Sequence, residues 1–365
     1  MAPSITNPVQ AMIISGASSE KTENVYRYYD KVNDIVVQQQ RENKADTIYH
    51  AGIRANKTMA TVRHFPAEGL LNKNNLNRLY VDTETGTLAD LNARFKQAEK
   101  LVLGEEFING TEKQTLKEVP RFLSVYVDDL DGLGHNEQII YNKPVSKTED
   151  ERLTKVVEAV AELDIAINNL VNAYKKRGIY EKTAFFITTD HGMTPFGGEK
   201  SGDTSSKYRL TKWPNLRDKL KEINSEFVFE YVAPGKKPKA SSTVIGVGGG
   251  LQMPLTFKNH RLSNSDLDAI ARQLEKEEYI DRVLTRRDLT EQGFWRGSNY
   301  DLLVIPSERY HFHGRDWQFN SYYVRGQHDS LLDSSNHIYG FAFGGLIQNN
   351  IIYKEEAKVI SVGVM

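Results

Sequence analysis

The chain has 365 residues, with 47 Lys and Arg against 48 Asp and Glu, for a net charge of −1. That balance argues against a nucleic-acid module with a dominant basic surface, and a mean hydropathy of −0.53 comes with no apolar run as long as a membrane span. The absence of Cys excludes disulfides, thiolate catalysis and Cys-ligated zinc, so a metal would have to sit on His, Asp, Glu or hydroxyl oxygen.

The first residues, Met1-Ala2-Pro3, carry neither the charged nor the apolar region of a signal peptide. The following Ser4-Ile5-Thr6-Asn7-Pro8-Val9-Gln10 reads as a helix start. Thr6 then stands at a helix N-terminus, where open N–H groups and the dipole favour a phosphate, and Pro8 suits the first turn. A simple N-cap role would also account for Thr6. Helices are expected over residues 34–41 and 88–102.

A strand over residues 122–127 runs into Asp128-Asp129-Leu130-Asp131-Gly132-Leu133-Gly134-His135. Asp131 and His135 are four apart across two glycines, so a tight loop could point both at one ion. A Gly-rich acidic turn is the plainer alternative. The clearest helix covers about residues 148–177. Its Leu153, Val156, Val157, Val160, Leu163, Ile167, Leu170, Val171 and Tyr174 recur in steps of three and four. Ser146 with Glu149 resembles a capping box, and Gly178 stops the helix.

A strand over residues 184–188 then ends in Asp190-His191-Gly192. Open α/β sheets place ligands beyond the C-terminal ends of their strands. An Asp with a neutral His makes half of a zinc site, and Gly192 lets the backbone turn close to a ligand. Residues 197–212 are polar and read as a surface loop beside this turn; residues 234–240 read as another. Further helices are expected over 216–223 and 265–276, and strands over 242–247, 301–305 and 338–343. Gly246-Val247-Gly248-Gly249-Gly250 follows a strand, but neither a helix nor a Lys-Ser/Thr pair comes after it as in a P-loop. A turn is the better reading. In Arg325-Gly326-Gln327-His328-Asp329, His328 is a candidate ligand, with His311 and His313 as competitors. Residues 357–365 read as a strand cut short. The alternation of strands and amphipathic helices indicates an α/β fold. No linker divides it, so the expectation is one main domain with a smaller lobe between about 197 and 325.

In order and context, the four motif segments resemble the alkaline phosphatase superfamily, most closely its type I phosphodiesterase/nucleotide pyrophosphatase branch. Pro3-Ser4-Ile5-Thr6-Asn7-Pro8 is similar to that branch's nucleophile motif, Asp131-Gly-Leu-Gly-His135 to its first metal motif, and Asp190-His191-Gly192 to its second. Gly326-Gln327-His328 matches the last metal His, with Asp329 where the family usually has Gly. The resemblance implies a mainly parallel sheet flanked by helices on both faces, with a smaller inserted lobe. It implies Thr6 as nucleophile and two divalent ions, Zn2+ by preference. One ion would be held by Asp131, His135 and His328, the other by Asp190, His191 and the Thr6 oxygen.

The family also uses an Asn some twenty residues after the Thr to bind a phosphate oxygen; Asn24 and Arg27 both stand there. It takes a further metal-binding Asp from a first strand ahead of the Thr. Only five residues precede Thr6, so that strand, and sequence at the C-terminal end, are expected to be lacking. The implied activity is metal-dependent hydrolysis of a small-molecule phosphodiester or nucleotide pyrophosphate through a phospho-threonine. The alternatives are a catalytically impaired metal- or phosphoester-binding relative, or a phosphomonoesterase, phosphonate hydrolase or phosphotransferase of the same superfamily. Family members are often exported, which implies an extracytoplasmic setting.

Overall fold

The computed structural model of the protein describes residues 4–83, 90–136, 144–198, 206–258, 260–314 and 325–347. It divides into two compact units. The first comprises Met1–Ala45, Ser146–Asp150 and Asp190–Ile338; the second comprises Asp46–Val145, Glu151–Thr189 and Tyr339–Met365. The segment expected as a lobe, 197–325, lies inside the first unit.

In the second unit, three parallel strands lie in the order Arg78–Val81, Met59–Val62, Phe122–Val125. The central strand is buried at every position and reads Met-Ala-Thr-Val, without polar alternation, as a strand covered on both faces does. The helix Leu91–Leu103 lies in sequence between two of these strands. Its N-cap Asp90 accepts the amide of Ala93, and Gly104 ends it at φ 72°, a left-handed conformation that costs glycine nothing. Ala98, Leu101 and Val102 of this helix pack with Ala60, Val62, Leu79 and Val81 of the sheet. Leu170, Ala173 and Tyr174 of the long helix Glu149–Lys176 join the same core. The apolar stripe read along the long helix is used unevenly, since Leu153, Val157 and Val160 nearer its start are exposed. Phe185–Thr188, the strand that leads to Asp190, pairs antiparallel with Gly340–Phe343.

In the first unit, five strands lie in the order Phe229–Tyr231, Val244–Gly246, Met253–Phe257, Leu302–Pro306, Ile280–Thr285. Only the first pair is parallel, so parallel pairing is concentrated in the second unit's sheet. Leu216 and Leu220 from the helix Trp213–Ile223, with Leu267, Ile270 and Leu274 from Asn264–Leu274, cover Val244, Leu255, Leu302 and Val304. Burying each such side chain stabilises by roughly 1.5–3 kcal/mol.

Residues 34–41 are not the expected helix. Ile35–Gln38 is a strand, paired antiparallel with Arg27–Asp30. The β-branched run Ile35-Val36-Val37 favours the pleated chain. The turn is closed by the Asp30 carboxylate, which accepts the amides of Val32 and Asn33. Asp34 supplies a left-handed residue, φ 51°. Turn chemistry and β-propensity outweigh the helical spacing here.

Candidate metal centre

In the first unit, the helix Thr6–Ser15 begins at Thr6 itself, because the N-cap is Ile5 and its side chain makes no cap. The Thr6 hydroxyl is therefore not spent as an N-cap. Its Oγ1 lies 3.0 Å from Nε2 of His191. The other ring nitrogen of His191, Nδ1, is 3.0 Å from the carbonyl oxygen of Gly192. A carbonyl only accepts, so Nδ1 carries the proton and Nε2 presents its lone pair toward the Thr6 hydroxyl.

His328 is arranged the same way. Its Nδ1 is 2.8 Å from the carbonyl of Ser4, which again puts the lone pair on Nε2. The two imidazoles stack with centroids 3.5 Å apart and planes 9° from parallel, and each offers a ring nitrogen within 4.8 Å of the other's. Ser4 fixes the segment further, its hydroxyl donating to the carbonyls of His328 and Ser330. Ordering a metal-binding His by a backbone carbonyl on its far nitrogen is the usual means of setting its tautomer.

Asp190 completes the cluster of this unit. One carboxylate oxygen, Oδ1, lies 3.7 Å from Nε2 of His191. The other, Oδ2, accepts from the side-chain amide of Gln10 at 3.2 Å. Gln10 is one helical turn after Thr6, so a single helix face meets the adjacent Asp190-His191 pair. Nothing in the sequence marks Gln10; its role depends on a contact between residues 180 positions apart.

A tetrahedral ion with bonds of about 2.0–2.1 Å holds its ligand atoms about 3.3–3.4 Å apart. The Thr6 and Asp190 oxygens, at 3.0 and 3.7 Å from the His191 nitrogen, bracket that spacing. The donor set, a carboxylate, neutral imidazoles and a hydroxyl, suits Zn2+ or a similar divalent ion. These residues fit the group that the sequence motifs imply.

In the second unit, Asp131 and His135 lie on a helix, Asp129–His135, not in the tight loop their glycines suggested. The i,i+4 spacing brings His135 Nε2 to 3.3 Å from Asp131 Oδ1. The neighbouring acids are engaged elsewhere. Asp128 pairs with Arg94 at 2.8 Å. Asp129 is fully buried and accepts the amide of Leu91, and burial raises its carboxyl to about 6.

Asn24 is wholly buried; its amide donates to the carbonyl of Glu42 and its oxygen accepts the Tyr26 amide. Arg27 donates to the Gln38 side chain, the Gly248 carbonyl and the Tyr26 hydroxyl. Of the competing histidines, His311 is fully buried, with Nε2 on the carbonyl of Arg209 and Nδ1 accepting the amide of His313. His313 stacks on Phe196. Asp329 accepts the Leu251 amide and so ties the glycine-rich turn to the residue beside His328.

The family model for type I phosphodiesterase/nucleotide pyrophosphatase matches residues 1–331. Among curated proteins, none matches the chain. Solved structures with a similar fold include human ectonucleotide pyrophosphatase/phosphodiesterase 5, at 15% identity, TM-score 0.55, covering 93% of this chain and 76% of that one. Phosphonoacetate hydrolase from Sinorhizobium meliloti 1021, solved with phosphonoformate, is similar at 14% identity and TM-score 0.59, covering 93% and 79%. A murine ectonucleotide pyrophosphatase/phosphodiesterase 5 in an inactive form with AMP is similar at 12% identity and TM-score 0.55, covering 93% and 76%. With its α/β architecture and phosphoester-hydrolase kinship, this chain belongs to the type I phosphodiesterase/nucleotide pyrophosphatase family.

Proposed function

We propose that the protein hydrolyses a phosphodiester or nucleotide pyrophosphate with two divalent ions, Zn2+ by preference, and Thr6 as nucleophile. The observation that carries this is the convergence of Thr6 Oγ1 and Asp190 Oδ1 on the His191 nitrogen, at 3.0 and 3.7 Å. Asp190, His191 and Thr6 would hold one ion. Asp131, His135 and His328 would hold the other, as the family resemblance implies. Bound divalent ions supply Lewis acidity, lowering the hydroxyl pKa of the nucleophile and stabilising the leaving oxygen.

The chain's own groups do the rest. Thr6 Oγ1, its proton released to solvent, attacks phosphorus, the bond to the leaving oxygen breaks on the opposite side and that oxygen takes up a proton from water, and phospho-threonine results. Water then attacks the same phosphorus and returns Thr6. The His191 tautomer, set by Gly192, keeps a lone pair on Nε2 beside the Thr6 oxygen, available to an ion that both would hold, rather than a second N–H. Of the two candidate phosphate ligands, Arg27 keeps donors in reserve. A guanidinium has five N–H groups, and three of them have hydrogen-bond partners here.

The test is turnover of bis-p-nitrophenyl phosphate against mono-p-nitrophenyl phosphate by the zinc-loaded chain. Preference for the diester supports the reading. Preference for the monoester moves the protein to a phosphomonoesterase. Bound metal with no turnover of either would make it a binding relative.

A further inference from the structure

The first unit carries a cleft of about 460 Å³ that shares no residue with Thr6, Asp190, His191 or His328. It opens where the edge strand Ile280–Thr285 passes directly into the helix Arg286–Glu291, beside the turn Arg296–Ser298. Its volume falls within the ~300–1,000 Å³ usual for small-molecule sites. Lys31, Arg286, Arg287 and Arg296 line it, against only Glu291 and Asp301 as acids.

The positive excess is not neutralised from within. Asp301 is buried, and its Oδ2 accepts the Phe257 amide at 2.8 Å. Its Oδ1 lies 3.5 Å from Arg286 Nη1, and Lys31 acts on it only at longer range, without a hydrogen bond or ion pair. Arg287 is paired with Asp268 at 3.2 Å. Lys31 and Arg296 have no side-chain hydrogen bond or ion pair among the described residues.

The cleft also has a fixed aromatic wall. Trp295 is half-buried, meets Tyr28 edge-to-face at 5.0 Å and 81°, and lies on the backbone of Gly297. A Cβ there would come within 2.4 Å of the indole. An indole held on two sides loses little conformational entropy when a flat ligand stacks on it. Cations that lack partners bind a phosphate dianion, in the case of Arg through paired N–H groups. We infer that this cleft is a second ligand site for a phosphate monoester attached to a planar ring, with the phosphate on Lys31 and Arg296 and the ring against Trp295.

The inference stands apart from the proposed catalysis. The experiment titrates the full chain with AMP in the presence of a metal chelator, by calorimetry and tryptophan emission. Inorganic phosphate and adenosine serve as part-ligands. Lys31→Gln with Arg296→Gln should weaken AMP and phosphate at least tenfold. Trp295→Leu should weaken AMP and adenosine similarly while leaving phosphate unchanged. The substituted cations are exposed, and matching thermal melts verify the fold. AMP affinity within twofold of wild type in both variants would overturn the inference. So would the absence of saturable AMP binding, or binding lost only in Thr6→Ala, which would assign AMP to the Thr6 site.

Discussion

Gln10 holds Asp190. Its side-chain amide donates to Oδ2 at 3.2 Å, from a helix position that is itself buried. Replacing Gln10 by Ala should leave that carboxylate to turn away from His191. The expected result is a zinc affinity lower by about 10–100-fold, the usual scale for losing an outer-shell partner of a ligand. Gln10→Glu should be worse, because a second carboxylate would face Asp190. Chelator-competition titrations of both variants measure this without reference to turnover. Unchanged affinity in both would remove Gln10 from the site.

Thr6→Ala should abolish diester turnover, by about 10³-fold or more, while the protein still binds metal through its remaining ligands. Thr6→Ser should retain a measurable part of the rate, since it keeps a hydroxyl on the first residue of the same helix. Rapid acid quench of the wild type during turnover, followed by peptide mass spectrometry, should find phosphate on Thr6. A fully active Thr6→Ala would refute the nucleophile assignment.

Two ions per chain are expected by native mass spectrometry after zinc loading, falling to about one in Asp190→Ala and to about one in Asp131→Ala. His328→Ala should behave like Asp131→Ala. If the wild type holds one ion only, the two-metal scheme fails and the cluster around His191 becomes the single centre.

His64 gives a pH dependence unrelated to catalysis. Burial pushes its pKa down to about 4, and it is hydrogen-bonded with the fully buried Tyr49, which also meets Ser124 at 2.9 Å. The unfolded chain would titrate this group near ~6.5. Between those values the unfolded state binds the proton and the folded state does not. The stability associated with neutral His64 is therefore complete above about pH 6.5 and declines as the pH falls toward 4, by about 3 kcal/mol in all. Buried Asp129, raised to about 6, acts in the opposite sense over part of this window, so the readout is the difference between variants. Urea unfolding at several pH values should give wild type and His64→Gln stability slopes that differ by about one proton between about pH 4 and 6.5.

The α/β class was legible because long periodicities survive in the sequence, as in Glu149–Lys176, and because apolar runs such as Phe185–Thr188 have little other use. Short strands were harder. Met59–Val62 and Arg78–Val81 are four residues each and lack alternation. Glu112–Gln114 is a strand made wholly of polar residues. Ile35–Gln38 was misread because a strand of four and a helical turn present nearly the same spacing, and only the turn at Asp30 to Asp34 separates them. Asp-His and Asp-x-x-x-His patterns are local, so these candidates are visible in the sequence. Gln10 and the carbonyls of Ser4 and Gly192 could not, because a tautomer is decided by contacts in space and a carbonyl has no sequence identity.

Asp329 fills a place that residue 249 leaves vacant. A Cβ on Gly249 would come 2.0 Å from the Asp329 carboxylate, and Asp329 adjoins His328. The identities of these two residues, 80 positions apart, are thus coupled: a side chain at 249 requires the Asp329 carboxylate, which holds the Leu251 amide, to move or to be shortened. Gly249→Ala alone should disturb the His328 segment, and adding Asp329→Gly should relieve it. The residue after His328 is in that sense chosen by a turn on the far side of the sequence.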